Sequence, residues 1–267
     1  MMRHGYVQEN PNVYDITQCD QRAVNAYVAK VFGWMFIGLM VTALTTFAIL
    51  YGMSVNDGYN AFADFVFRWQ SAVWLLFIVE FAIVIALSAR VAKMNPATAK
   101  LMYLIYAILN GFTFGLFAVI YSYTVGAGME TLGLAFGITA VSFGIMAVYG
   151  LVTKADLTRF GNLLWMGLIG LIIMSVVNIF MGNGMIDFLI CVVGLFLFLG
   201  ITAHRTHMIK NHFAQVALST EYEDENGYVR QSAVASNLAI VGALMLYLAF
   251  LNIFMFVLRL LSGGSRR

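Results

Sequence analysis

The chain has 267 residues, of which 61% are hydrophobic and only 10% are charged. Soluble domains carry roughly 25% charged residues, so this composition describes a polytopic membrane protein. A net charge of +2 argues against a nucleic-acid partner, and the long unbroken apolar runs exclude the alternating strands of a porin.

Residues 1–28 read as a polar tail with no apolar segment that would serve as a cleavable signal. Apolar runs long enough to cross a bilayer as helices follow at about 29–51, 71–89, 101–121, 131–151, 163–181, 186–203 and 236–259. Trp69 and Trp74 suit the interface beside the second run. The basic turn TKADLTR leads into the fifth, and only GNGM separates the fifth from the sixth. Residues 204–232 read as a polar loop whose start is amphipathic, with Ile209, Phe213 and Val216 at helical spacing, suited to lying on the membrane. Residues 261–267 are a basic tail. The fold class expected is therefore all-α, with seven transmembrane helices in residues 29–260.

Lys and Arg near span ends set the orientation. With the amino terminus cytoplasmic, Arg3, Arg22, Lys30, Arg90, Lys93, Lys100, Lys154, Arg159, Arg205, Lys210 and Arg230 all fall inside. Arg259, Arg266 and Arg267 run against the rule. The last helix either crosses fully or is re-entrant, and its length favours a crossing. Cys19 and Cys191 lie in a polar and an apolar setting, so no disulfide or zinc framework is read.

Small residues recur at four-residue spacing: Gly111 with Gly115, and Gly133 with Gly137, with Gly144 further along the same span. Ordinary close packing of backbones is the expected use of these pairs.

Glu80 is the one carboxylate deep in a span, about 15 Å from either end of its helix. An acid at that depth must be neutral, paired or facing water, and marks an ion or proton site unless it merely bridges helices. Arg90 ends the same helix, turned about 80° from Glu80. Its plain role is snorkelling, and its sharper one is a gate contact near the inner end of the sixth span. His204 and His207 share a helical face and form a small cluster with His212, so they are candidates for pH sensing, against a solvated helix end. No third ligand at suitable spacing supports a metal. Glu221, Glu223, Asp224 and Glu225 suggest a calcium loop only faintly. With Gly227 at its invariant glycine, Tyr222 and Ala233 fall where the key acids belong. Nucleophile-elbow, zinc-protease and phosphate-loop motifs are absent, so no enzyme and no cofactor are read. Tyr247 and Asn252 lie inside the last apolar run, and hydrocarbon satisfies neither, so that helix is expected at the centre of the bundle, with Asn252 a candidate for the ion or proton site beside Glu80 and Arg90.

Four stretches carry a resemblance. They are NGFTFGLF at Asn110–Phe117, AFGITAVSFGIMAVYGLVTKADLTRFGNLLWMGLIGLIIMSVVNIF at Ala135–Phe180, GITAHRTHMIK at Gly200–Lys210, and GALMLYLAFLNIFMFVLRLL at Gly242–Leu261. Together they make the chain similar to the Bax inhibitor-1 family, including its bacterial inner-membrane members. The resemblance implies seven helices with the last surrounded by the other six, an inner-membrane location and, for some members, a pH-sensitive calcium leak. In such members two aspartates share a proton and gate the pore. Here the matching motifs read TAHRTHMI and LYLAF, so Arg205 and Ala249 stand at the two switch positions. Neither reproduces the coupled titration of paired acids. Two functions stay open: a calcium or cation leak with altered gating, or a non-transporting scaffold that binds other membrane proteins such as quality-control proteases. Proton-coupled transport through Glu80 is a weaker third.

Overall fold

The computed structural model describes residues 21–55, 70–90, 94–125, 129–219, 222–223, 229–230 and 233–263. Its long helices are α1 (Gln21–Val55), α2 (Gln70–Arg90), α3 (Pro96–Val125), α4 (Met129–Val152), α5 (Gly161–Met181) and α6 (Gly184–Met208). A π-helical turn (Ile209–Phe213) joins α6 to the short α7 (Ala214–Ser219), and α8 (Ala233–Gly263) closes the order. Between α7 and α8, two-residue strands β1 (Tyr222–Glu223) and β2 (Val229–Arg230) pair antiparallel. Six of the described helical stretches are long and apolar enough to cross a membrane: 21–52, 96–118, 130–152, 157–181, 184–216 and 234–262. The expected second span, 71–89, falls inside α2.

Local chemistry sets the turns. Helix α5 stops at Met181 because Gly182 takes a left-handed conformation (φ 62°) and its N–H donates to the Asn178 carbonyl. Asn183 then caps α6, its side-chain oxygen accepting from the N–H groups of Met185 and Ile186. At the other end, Asp156 caps a 3-10 turn, Leu157–Phe160, that leads into α5.

Hydrocarbon offers helices no hydrophobic reason to associate, so contact surfaces and hydrogen bonds decide the packing. Helix α8 supplies a face of small residues: Ala235, Ala239 and Ala243, four apart, are all 0% exposed. Two-thirds of its most apolar stretch is buried (67%), against 0% for α5. Its polar and aromatic contacts run in step with α1 and α3. Asn237 donates to the Met94 carbonyl, Tyr247 meets Thr42, and Phe254 packs edge-on against Phe114. So α8 is one unbroken helix of 31 residues, parallel to α1 and α3 and about 46 Å long. That length is enough for a full crossing.

The expectation of a last helix surrounded by the other six needs correction. Helix α8 packs chiefly against α1, α3, α4 and α6, whereas α2 packs on α3 and α5 on α6. The expected loop beginning at His204 is also corrected, because helix continues through the π turn to Ser219. Ile209 is 1% exposed and Phe213 packs on the core, so this segment docks against the bundle instead of lying on the membrane. Gly242 in α8 allows it: a side chain there would meet Val31 at 3.1 Å and Ile209 at 3.4 Å.

Of the expected tail 1–28, residues 21–28 are instead the start of α1, with Val24, Tyr27 and Val28 buried; residues 1–20, Trp69, Lys93, Glu221, Asp224, Glu225, Arg266 and Arg267 lie outside the described residues.

Candidate functional site

A string of polar side chains runs through the interior between α1, α2, α3 and α8. It begins at Glu80, which is 8% exposed although its neighbours Val79 and Phe81 face outward at 40% and 69%. The Thr113 hydroxyl donates to Glu80 Oε1 at 2.5 Å. One turn earlier on α3, Asn110 Nδ2 donates to the Tyr106 carbonyl at 3.0 Å. The rings of Tyr103 and Tyr106 meet Tyr247 of α8 nearly edge-on, with centroids 5.9 and 6.0 Å away. The Tyr247 and Thr42 hydroxyls share a 2.7 Å hydrogen bond. Tyr103 donates to the Trp34 carbonyl at 3.0 Å. No described cation pairs with Glu80.

Sequence reasoning found Glu80 and Tyr247 but not the rest. Tyr103, Tyr106, Asn110 and Thr113 are spaced three, four and three residues apart, which is one helical face. That spacing was the available signal. Close approach of α1 to α3 completes the string. Gly111 leaves room for Thr45 and the Thr42 carbonyl, 2.6 and 2.7 Å from where a Cβ would sit, and Gly115 faces Ile49. The Gly111–Gly115 pair therefore packs helices as expected. A Cβ at Gly133, Gly137 or Gly144 would meet nothing within 4 Å among the described residues, so the second pair does not mark a close helix approach there.

The other expected site residues lie elsewhere. Arg90 ends α2, and its side chain is outside the described set. Asn252 donates to the Leu248 carbonyl of its own helix at 2.7 Å and does not join Glu80. Ala249 is sealed at 2% exposure. Arg205 is half-buried on α6 and has no ion pair among the described residues. Helices α6 and α8 are antiparallel, with Gly194 against Phe256 and Ile209 against Gly242. This register sets Arg205 about one turn, ~5 Å, from the level of Ala249.

His204 and His207 are buried, not a solvated helix end. The His204 ring shares a 2.9 Å hydrogen bond with the Leu157 carbonyl and packs on Gly161, holding the α4–α5 turn to α6. Lys210 reinforces it, donating to the Leu151 carbonyl at the end of α4. His207 Nε2 bonds Asn211 at 2.8 Å, while its Nδ1 is buried without a partner. In the same turn Asp156 accepts from the hydroxyl and the backbone N–H of Thr158, which, with Arg159 nearby, hold its carboxyl below the usual carboxylate range. At the opposite end, Arg259 lies within reach of the Cys191 thiol. Among the described residues, no group of three or more His, Cys, Asp or Glu could hold a metal.

The family model described as "Inhibitor of apoptosis-promoting Bax1" matches residues 24–267, spanning every helix of this bundle except the first residues of α1. The chain belongs to the Bax inhibitor-1 family. Among its relatives in that family is the "Inner membrane protein YbhL" of Escherichia coli strain K12, 32% identical over 244 residues, or 91% of this chain and 93% of that one. A protein of Borreliella burgdorferi is 36% identical over 255 residues, covering 95% and 98% of the two chains. Another, from Deinococcus radiodurans, is 32% identical over 243 residues, covering 91% and 92%. The Bax inhibitor-1 chain is thus a multi-pass membrane protein in contact with the lipid bilayer.

Proposed function

We propose that this Bax inhibitor-1 member is a calcium or cation leak in which Glu80 is the acid that the permeating ion meets. The supporting observation is the placement of Glu80. It is a buried acid, held by the Thr113 hydroxyl, and it heads a string of polar groups that reaches Tyr247 on the central helix. A charge at bilayer depth costs a few kcal/mol, which a passing cation offsets. Arg205 and Ala249 stand where the family resemblance places a pair of switch acids, so gating runs through Glu80 instead of a shared proton. Helix α2 serves as a seventh crossing, and the amino terminus lies on the cytoplasmic face of the inner membrane, following the basic residues.

Purified protein in liposomes tests this. Calcium efflux is measured between about pH 6 and 8, the range in which histidine also titrates. The wild type is expected to leak above empty liposomes, and Glu80→Gln to fall to their level. Absence of wild-type flux at every pH would sink the proposal.

A second reading is favoured by one observation. The central helix is sealed at Ala249, and the cationic Arg205 sits about one turn away. A non-transporting regulator that binds other membrane proteins, including quality-control proteases, needs no open path. It predicts no flux, together with a specific crosslink from the polar tail or the 220–232 segment to an identified membrane protease. Flux without such a crosslink excludes it.

A further inference from the structure

A cavity of about 270 Å³ opens on the side of the bundle between α1 and α4, which make no substantial contact with each other. Its walls include Phe47, Phe114 and Phe136, and its floor is the central helix at Phe250, Phe254 and Leu258. Thr42 and Thr46 are its hydroxyl-bearing lining residues, and both are satisfied within the protein. Thr42 is bonded to the Gly38 and Ala107 carbonyls and to Tyr247, and Thr46 to the Gly111 carbonyl. With both hydroxyl protons taken, only spare lone pairs on two threonine oxygens are left in an otherwise apolar lining, so the cavity suits an apolar occupant better than water or an ion. Its mouth is continuous with the lipid-facing surface: Phe47 and Leu134 beside it are each 57% exposed, while Phe250 and Leu258 at the floor are 4% and 1%.

Size selects among apolar occupants. A dry cavity near 150 Å³ holds a six-carbon ring, so this one holds roughly ten carbons. A whole helix, about 10 Å across, is too wide to enter. We infer that the cleft between α1 and α4 is a binding site for one acyl chain of a bilayer lipid, which enters sideways and lies against the central helix. The inference does not depend on Glu80 or on ion flux.

The test is photolabelling of the full chain in nanodiscs that contain a phospholipid with a diazirine near the end of its acyl chain. Adduct sites are then mapped by peptide mass spectrometry. Labels are expected on Phe250, Phe254 and Leu258, which sit too deep for annular lipid to reach, as well as on outward Phe47. Gly133→Leu and Ala43→Leu place bulk at the mouth. A side chain at Gly133 meets nothing within 4 Å, so it fits without strain. Both variants are expected to reduce the α8 labels to the level of unilluminated samples and to keep the Phe47 label. Gly137→Leu, equally free of contacts but away from the lining, should leave all labels unchanged. Absence of α8 adducts in the wild type overturns the proposal. So do α8 adducts that persist in both mouth variants, or crosslinks of cleft residues to a second protein copy in place of lipid.

Discussion

Replacing Gly111 by alanine tests the packing on which the buried polar string depends. The added methyl would lie 2.6 Å from Thr45 Cβ and 2.7 Å from the Thr42 carbonyl oxygen. Carbon atoms pack at about 3.5–4.0 Å, so α1 must retreat by about 1 Å. Three interhelical hydrogen bonds span that seam: Thr42 to the Ala107 carbonyl at 3.0 Å, Thr46 to the Gly111 carbonyl at 2.8 Å, and Tyr103 to the Trp34 carbonyl at 3.0 Å. A retreat of that size stretches each to about 4 Å, beyond a hydrogen bond. Such bonds within membranes average about 0.6 kcal/mol, so together they amount to about 2 kcal/mol. Alanine's better helix propensity returns at most about 1 kcal/mol. The expected net destabilisation is roughly 1 kcal/mol, rising to about 4 if the bonds are at the strong end of their range. Gly137→Ala has no neighbour within 4 Å, so only the propensity gain applies and the variant is neutral or slightly stabilised. Reversible unfolding in mixed micelles, titrated with a denaturing detergent, measures both. If the two variants shift together, or Gly111→Ala matches the wild type, the reasoning fails.

Further outcomes follow from the same geometry. Ala249→Asp puts an acid into a sealed position and is expected to cost about 2.5–3.5 kcal/mol. Arg205→Asp with Ala249→Asp should instead give a leak that depends on pH, and an unchanged liposome flux in the double variant would show that the surroundings no longer support a switch. His204→Ala frees the Leu157 carbonyl and is expected to speed hydrogen exchange across residues 153–160 with little change in the core of α8. The depressed Asp156 carboxyl stabilises its turn above the unfolded carboxylate pKa, about 3.9, and this is lost as pH falls through the lower folded value. Exchange at Thr158 should rise on acidification through that window, and Asp156→Ala should flatten the dependence.

The helices of this protein are legible from apolar run length, because a bilayer imposes that length directly. Which face of each helix turns inward is much less legible, since lipid and protein core are both apolar and hydropathy carries no contrast between them. The two glycine pairs illustrate this: equal in sequence, one seals α3 to α1 and the other faces open space. Tyr103 and Tyr106 read as part of an apolar run, yet they are 0% and 5% exposed beside Tyr247. Glu80 stood out because a lone acid in hydrocarbon is conspicuous whatever its surroundings. The His204–His212 stretch misled because Lys210, Asn211 and His212 look like an exit into water. Lys210 instead spends its ammonium on the end of α4, and the helix carries on.

The position of α8 in the chain has a consequence for biogenesis. Translation delivers the central helix after the α1–α3 and α4–α6 pairs that it packs between, so both pairs are made before the element that bridges them exists. Until then Thr42, Tyr103 and Tyr106 have no Tyr247 to meet, and the nascent bundle has a polar-lined gap along its axis. The contacts of Tyr247 with Thr42, Tyr103 and Tyr106 therefore form only once α8 has been made and packed. An intermediate arrested just before Ala233 would be the form most exposed to membrane quality control.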